Sequence, residues 1–325
     1  MKKRIGYIFK NIEKIKTTDV ETLESLNLNF QNFFQKTKRD AKLLISNINS
    51  TFYLLGSDFS GLKDKHSELN YKSYNSLGDI IKSVKTALIP SPTFDPTTPY
   101  SEEFIIGDFK KNESEKWFFV NGIATSKEIA KINGKALSEI FQNNIHILYN
   151  PSQSIPIDLL ESILERTYGR KTAITDSIYS VIKDELIKGT KIKLMGHSQG
   201  GIIVSSVVNR LVDDESMTKY LKNIELYTFA SAADEVKHHV DESTKLGHPV
   251  PYNEHFVNTK DLVARLGKGA TSLNKNISGE VFEFEAAGHL LNSHYLKNFV
   301  EGKYDLENKS RLKEHYVIKN KINWN

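Results

Sequence analysis

The sequence contains no cysteine among its 325 residues. This absence excludes disulfide bridges, cysteine-based catalysis and zinc sites built from thiolates. It is usual for a protein kept in a reducing compartment, although exported proteins without disulfides exist. The sequence also lacks an H-E-x-x-H motif and any close set of carboxylates and histidines. We therefore expect neither a metal ion nor another cofactor.

Long apolar runs are missing as well. The basic start, MKKRIGYIFK, resembles the first part of a secretory signal, but Lys10 interrupts its apolar stretch after a few residues. A signal peptide needs roughly 7–15 apolar residues, and a membrane-spanning helix needs ~20. The expectation is a cytoplasmic protein by default, with export by a signal-independent route as the alternative.

A strong charge of one sign is absent too. The chain has 44 basic and 40 acidic residues, a net charge of +4, which does not indicate nucleic-acid binding. The Gly134-Lys135 pair lacks the upstream glycine of a phosphate-binding loop, so a nucleotide is not expected either.

Proline is scarce, and its distribution marks a boundary. Four of the eight prolines lie in IPSPTFDPTTPY, residues 89–100, and proline interrupts both helices and strand ladders. We predict a linker or arm over 89–114, between an N-terminal helical extension (1–88) and a longer second part (115–325). An apolar stripe at three-to-four spacing along 23–52 predicts a helix. That helix would pack on the second part, or bind a partner or a membrane surface.

The second part alternates between strand and helix patterns. This alternation predicts an α/β fold with a mostly parallel sheet flanked by helices. The predicted strands cover 117–120, 145–150, 191–196, 224–230, 254–258 and 280–286. The predicted helices cover 127–142, parts of 156–188, 201–212 and a last one that begins at 293.

The stretch GHSQG, residues 196–200, matches G-x-S-x-G with Ser198 at its centre. A predicted strand leads into it and a predicted helix leaves it, which is the setting of a nucleophile elbow. Gly196 and Gly200 lack side chains, so that the strand and the helix can approach each other closely. Ser198 is therefore the candidate nucleophile, and His197 is expected to support it from within the motif.

A serine nucleophile needs a histidine base and an orienting carboxylate, which in this type of site follow it in the order acid, then histidine. Asp261 lies just past the predicted strand 254–258 and is the first candidate for the acid. Asp234, which follows the strand 224–230, is the alternative.

Two histidines compete for the role of base. His289 comes directly after the last predicted strand, and His294 opens the last predicted helix. The base must reach back over the edge of the sheet to the serine. This requirement favours His289 and leaves His294 as the alternative.

The oxyanion of an acyl-transfer intermediate needs two backbone N–H donors. One is expected from Gln199, the residue after the nucleophile, and the other from the loop after an earlier strand. The stretch FVNGIATS, residues 119–126, is suitably placed. Gly122 would allow a close approach there, and Ile123 would offer its N–H group.

Together these residues resemble the α/β-hydrolase superfamily on its lipase and esterase side. GHSQGG (196–201) is similar to the elbow of that group. LYTFASAADE (226–235) and FVNTKDLVARL (256–266) are similar to the strand after the elbow and to the acid segment of class 3 lipases. The second likeness supports Asp261 as the acid. Both stretches depart from the lipase pattern where glycine or proline is usual, the first at Ala230 and Ala232 and the second at Ala264 and the following Gly267.

FVNGIAT (119–125) and ILYNPS (147–152) resemble a group of bacterial hydrolase-like proteins. In that group a short serine-containing stretch follows the histidine, as His289 is followed here by Ser293. The resemblance covers about 115–300 and implies a serine hydrolase with a Ser–His–Asp triad.

The expected substrate is a small-molecule or lipid ester. The segment 151–188 is expected to form either a cap over the site or ordinary crossover helices. The alternatives are a thioesterase, amidase or acyltransferase on the same triad. A third possibility is a catalytically silent protein that binds a partner or a membrane through its N-terminal helices. The oligomeric state is left open.

Overall fold

The computed structural model describes residues 66–76, 103–151, 173–304 and 310–316, with gaps at 69, 111, 123–124, 262, 266–271 and 273. These residues form a seven-stranded sheet in the order β1-β3-β2-β4-β5-β6-β7. The strands are β1 Glu103–Ile106, β2 Glu115–Val120, β3 Ile145–Leu148, β4 Lys191–His197, β5 Ile224–Phe229, β6 Tyr252–Asn258 and β7 Glu280–Phe284.

All neighbouring strands are parallel except β1, which pairs antiparallel with β3. The sheet is therefore mixed but mostly parallel, and its strand order is that of the α/β-hydrolase fold. In such a sheet the carboxyl ends of the parallel strands meet at one edge, where ligands bind.

Helices cover both faces of the sheet. They are α1 Lys127–Phe141, α2 Ala173–Ile187, α3 Gln199–Asp213, α4 Val240–Leu246, α5 Lys297–Val300 and α6 Arg311–Glu314. A π-helical turn, Leu291–Leu296, runs directly into α5, and 3-10 turns span Tyr71–Ser73 and Glu215–Asn223.

Alternating side chains of β2 enter two separate cores. Trp117 and Phe119 pack on one face with α1 and α5, whereas Phe118 and Val120 pack on the other with α2 and α3. Side chains alternate across a strand, so a central strand that is covered on both faces is apolar at successive positions. This is why WFFV is an uninterrupted apolar run.

The predicted strands and main helices of the second part agree with the structure to within a few residues. The linker expected over 89–114 needs a correction, because β1 lies inside it. Phe104 and Ile106 of β1 pack against the core, and the strand forms the edge of the sheet.

For the segment 151–188, which was expected to be either a cap or crossover helices, the structure decides the second half. Residues 173–187 form α2, whose buried Ile178, Ile182 and Leu186 pack in the core beside α3. This half is a crossover helix that covers the sheet, and it is not a lid. Residues 152–172, the rest of this segment, lie outside the described residues.

Of the N-terminal extension, only residues 66–76 are described, and the helix predicted along 23–52 lies outside them. Residues 66–76 belong to the same compact unit as the sheet, Asn49–Asn325. They contact the π-helical turn 291–296 through side chains that are described below.

The segment 310–316 packs against β6. Glu254, fully buried on that strand, accepts hydrogen bonds from Tyr252 Oη (2.7 Å), Ser310 Oγ (2.8 Å) and the Arg311 N–H (2.5 Å). The Glu254 carboxylate thus bonds the start of α6 to the sheet.

Candidate active site

The candidate nucleophile lies at the turn between β4 and α3. Ser198 has φ 58° and ψ −122°, a region that L-residues rarely occupy and that costs about 1–3 kcal/mol. Its N–H donates to Phe229 O (2.9 Å) at the end of β5. The neighbouring strand and the helix therefore hold the strained turn. Ser198 lies at the carboxyl end of β4, at the edge of the sheet where ligands bind.

The elbow depends on residues without side chains. A Cβ at Gly196 would lie 2.6 Å from Gly200 O, and a Cβ at Gly200 would collide with Val120 O. Such distances are far below van der Waals contact, so only glycine lets β4, α3 and the end of β2 approach this closely. Both predicted elbow glycines are at these contacts.

His289 reaches Ser198 from the loop between β7 and the π-helical turn. Its Nε2 lies 2.8 Å from Ser198 Oγ, and its Nδ1 lies 2.7 Å from Asp261 Oδ2. With the Nδ1 proton donated to the carboxylate, Nε2 is free to accept the serine proton. This is the geometry that a general base requires.

Asp261 is held on the loop after β6 by bonds to both of its oxygens. Oδ1 accepts from the Val263 N–H (2.9 Å), and Oδ2 accepts from Tyr295 Oη (2.7 Å) as well as from His289. Burial by itself would raise the pKa of Asp261. The attraction of His289 and these hydrogen bonds outweigh burial and lower it below its ordinary value. The carboxylate therefore stays charged at neutral pH.

His197 holds the backbone of the histidine loop. Its Nε2–H donates to His289 O (2.7 Å), and the two rings are 5.0 Å apart between centroids. Burial and the neighbouring His289 lower the pKa of His197 to about 3. It is thus a neutral donor throughout the physiological range, in the supporting role that the sequence suggested.

Beside the nucleophile, two asparagines join the ends of β2 and β3 to the elbow. Asn150 donates from Nδ2 to Gln199 Oε1 (2.9 Å), and its N–H donates to Asn121 Oδ1 (2.8 Å). Asn121 Nδ2 donates back to Asn150 O (2.8 Å). The adjacent Gly122 is so close to Ser198 that a Cβ there would lie 2.7 Å from the serine Cβ. This is where an oxyanion loop is needed, although Ile123 lies outside the described residues.

The alternative candidates take other positions. His294 Nδ1 accepts from the Leu290 N–H (2.9 Å), so this histidine braces the turn after His289. Asp234 lies beyond β5, where its carbonyl oxygen accepts from Asn274 Nδ2 (2.9 Å). The atom bonded to His289 Nδ1 belongs to Asp261. The structure therefore brings Ser198, His289 and Asp261 together.

Three polar residues at the site were not assigned a role from the sequence. They are Asn150, Tyr295 and Glu68, all buried. Asn150 ends a predicted strand, and an amide at a carboxyl strand end was the available signal. Tyr295 lies in the helix after the base and carries no local signal, because its partner Asp261 is 34 residues away.

The part of the chain that the structure describes holds no group of three or more His, Asp or Glu side chains placed for a metal ion. Within the same residues, no helix is long and apolar enough to cross a membrane.

A family model described as "Putative serine esterase (DUF676)" matches residues 165–234. This stretch includes Ser198 but neither His289 nor Asp261. No curated protein matches the chain.

Two solved structures are similar to the chain at low identity. The first is the RedJ thioesterase of the prodiginine biosynthetic pathway in Streptomyces coelicolor, with 12% identity, 69% of this chain and 93% of that chain covered, and a TM-score of 0.34. The second is the butyrate-bound thermophilic esterase Est2 of the planctomycete Thermogutta terrifontis, with 12% identity, coverages of 67% and 91%, and a TM-score of 0.33. TM-scores this low do not establish a shared fold. We therefore base the α/β-hydrolase assignment on the strand order and the elbow.

Proposed function

We propose that this protein is a serine hydrolase that cleaves carboxylic esters through a Ser198–His289–Asp261 triad. The observation that supports this most directly is the continuous hydrogen-bonded path from Ser198 Oγ through the imidazole to Asp261 Oδ2, at 2.8 and 2.7 Å. Ordinary packing does not require a strained serine, a histidine and a buried aspartate in this order, whereas nucleophilic catalysis does.

The reaction would begin with the attack of Ser198 Oγ on the ester carbonyl carbon while His289 Nε2 takes the hydroxyl proton. The imidazolium that forms is stabilised by the charged Asp261. His289 then gives the proton to the departing alcohol, which leaves an acyl group on the serine. A water molecule, deprotonated by the same nitrogen, attacks the acyl carbonyl. The bond between the acyl carbon and Ser198 Oγ then breaks, His289 returns the proton to Oγ, and the carboxylic acid is released.

Negative charge would develop on the carbonyl oxygen in both steps. The N–H of Gln199, at the start of α3, is the first donor that we propose for it, and the helix N-terminus favours a negative charge. The second donor would be the N–H of Ile123. The bonds among Asn121, Asn150 and the Gln199 side chain would keep the two strands and the elbow at a fixed separation while this charge forms.

The substrate class that we propose is a small or lipid-derived carboxylic ester. The same triad would also act on a thioester, an amide or an acyl acceptor alcohol, because these reactions share the acyl-serine intermediate. The partial likeness to a serine esterase family over residues 165–234 favours the ester.

The first test is labelling by a fluorophosphonate probe, which reacts with a serine that an adjacent base has activated. We expect the wild type to be labelled and Ser198→Ala to be silent. A panel of p-nitrophenyl esters of increasing chain length would then define the acyl preference. A folded wild type that is neither labelled nor active on any ester or thioester would contradict the proposal.

The same probe distinguishes the two histidines. His289→Ala should abolish labelling because the serine loses its base. His294→Ala should keep labelling at a reduced rate, since its Nδ1 accepts from the Leu290 N–H and not from Ser198. The reverse result would make His294 the base.

A further inference from the structure

Residues 66–68, which precede the proline-rich stretch, reach the loop that carries His289. The Glu68 carboxylate accepts from the Asn292 N–H (2.7 Å), the Ser293 N–H (3.2 Å) and Ser293 Oγ (2.8 Å). Both of its oxygens are used, one for each backbone N–H. The sequence of this polar segment contains no motif that indicates a functional role.

Two further bonds from the same segment reach the same pair of residues. Asn292 Nδ2 donates to His66 O (2.7 Å), and Ser67 Oγ lies 2.9 Å from Ser293 Oγ. Five bonds thus converge on residues three and four positions after His289. This concentration on one turn distinguishes the contact from general packing of a surface segment.

Hydrogen bonds within the segment 67–74 also fix its conformation. Tyr74 Oη donates to Glu68 O (2.7 Å), and Ser73 Oγ donates to Ser67 O (3.1 Å). Glu68 itself is only 5% exposed. Burial raises the pKa of this carboxyl, and the hydrogen bonds from Asn292 and Ser293 oppose that rise. A buried carboxylate costs free energy, so a position that retains one needs a reason beyond filling space.

The turn that Glu68 binds is the one that fixes His289. On its other side, His197 holds the His289 carbonyl and Asp261 holds the ring. The Asn292 and Ser293 N–H groups lie at the start of the helical run 291–300, where a helix has no internal partners for its first N–H groups. Glu68 supplies those partners, and the helix dipole favours its negative charge.

We propose that Glu68 is a positioning residue for the base, that is, a carboxylate from outside the hydrolase sheet that fixes the start of the 291–300 helix and thereby the approach of His289 to Ser198. This proposal rests on the function proposed above. Displacement of a reacting group by about 1 Å can lower a rate by ~100-fold, so the anchor matters to the rate even though it never touches substrate.

The test uses Glu68→Gln in the full-length protein. Glutamine keeps the size of the side chain but replaces one acceptor oxygen with an NH₂ group that faces a backbone N–H. We expect kcat for p-nitrophenyl butyrate to fall at least tenfold, with KM within twofold of the wild type. Glu103→Gln, the same change on the edge strand β1, is the matched control and should leave both constants unchanged.

Hydrogen–deuterium exchange gives a readout that does not need activity. In Glu68→Gln, amides of 286–296 should exchange about tenfold faster, while those of 127–141 should be unchanged. If the wild type proves inactive but this loop loosens, the ester hydrolase proposal fails and the positioning contact stands. A folded variant with wild-type kcat and wild-type exchange overturns the inference.

Ser293→Ala serves if Glu68→Gln does not fold. It removes only the hydroxyl bonded to Glu68 and Ser67. A several-fold loss of kcat together with faster exchange in 286–296 would support the proposal, and no change in either would overturn it.

Discussion

At the scale of single residues, Asp261 is the most heavily bonded member of the site. Its two oxygens accept from Val263, Tyr295 and His289, and it is 2% exposed. Substitution by asparagine would preserve the shape and remove the charge. The amide would also present a donor to His289 or to its other neighbours, which disturbs the tautomer that accepts the serine proton.

Asp261→Asn should therefore lower kcat for p-nitrophenyl esters by about 10³–10⁴ while the protein remains folded. Steady-state kinetics at pH 8 measure this. Asp234→Asn, at the alternative acid of the sequence analysis, is the matched control and should keep its activity within about twofold. Equal losses in the two variants would contradict the role of Asp261.

The three residues that the structure brings together could be predicted from the sequence because each follows a strand with a recognisable local signal. Ser198 has the G-x-S-x-G motif, and Asp261 and His289 follow the predicted strands 254–258 and 280–286 in the right chain order. The supporting residues could not be predicted. Glu68 looks like any solvated glutamate, and its burial is decided by partners that lie 224 residues away.

At the scale of elements, the junction of β2, β4 and α3 has no spare volume. A Cβ on Gly200 would meet two backbone carbonyls, Val120 O and Asn121 O. Backbone cannot move aside as the end of a side chain can.

We expect Gly200→Ala to lower the free energy of unfolding by about 3 kcal/mol, the upper end of the usual cost of overpacking, and to abolish fluorophosphonate labelling. Gly134→Ala, inside α1, is the control, because its Cβ would meet the terminal methyl of the Ile147 side chain, with no backbone atom among its nearest contacts, and alanine favours a helix. That control should change stability by no more than about 1 kcal/mol. Urea denaturation of both variants checks the difference.

The elements that were not predicted from the sequence include the strand β1 and the helix α4, and neither has a long apolar pattern of its own. β1 has only four residues, EFII, and exists because Glu103–Ile106 pairs with β3. The helix α4 has no buried residue, so it leaves no apolar periodicity to detect. Hydrophobic periodicity in a sequence arises where one face of a long helix or strand is buried. A short strand that depends on a distant partner, or a helix without buried residues, does not produce such periodicity.

At the scale of the whole molecule, a buried carboxylate links the C-terminal segment to the sheet. Burial raises the pKa of Glu254 to about 7, although Tyr252, Ser310 and the Arg311 N–H donate to it. The folded state thus holds this proton more tightly than the unfolded state, whose carboxyl has the ordinary pKa of 4.5. The stabilisation is complete below that value and is lost as the pH rises through about 7.

Glu254→Gln, which is neutral at every pH, should escape this loss. Relative to the wild type it should gain stability between pH 5 and pH 8, by up to about 3 kcal/mol. Urea denaturation at the two pH values measures the gain. Glu280→Gln, on the exposed start of β7, should follow the wild type. A Glu254→Gln effect of equal size at both pH values would show that lost hydrogen bonds, and not ionisation, control this contact.

The long sequence separation between Glu68 and its partners also has a consequence while the protein is being translated. The carboxylate leaves the ribosome 224 residues before Asn292, which at 5–20 residues per second is a delay of roughly 10–45 s. For that time the growing chain presents a glutamate whose place in the fold does not yet exist. His289, the base that we propose, is made only at the end of the same interval. We therefore expect a nascent chain to lack hydrolase activity until residues 289–293 have been translated and have met Glu68.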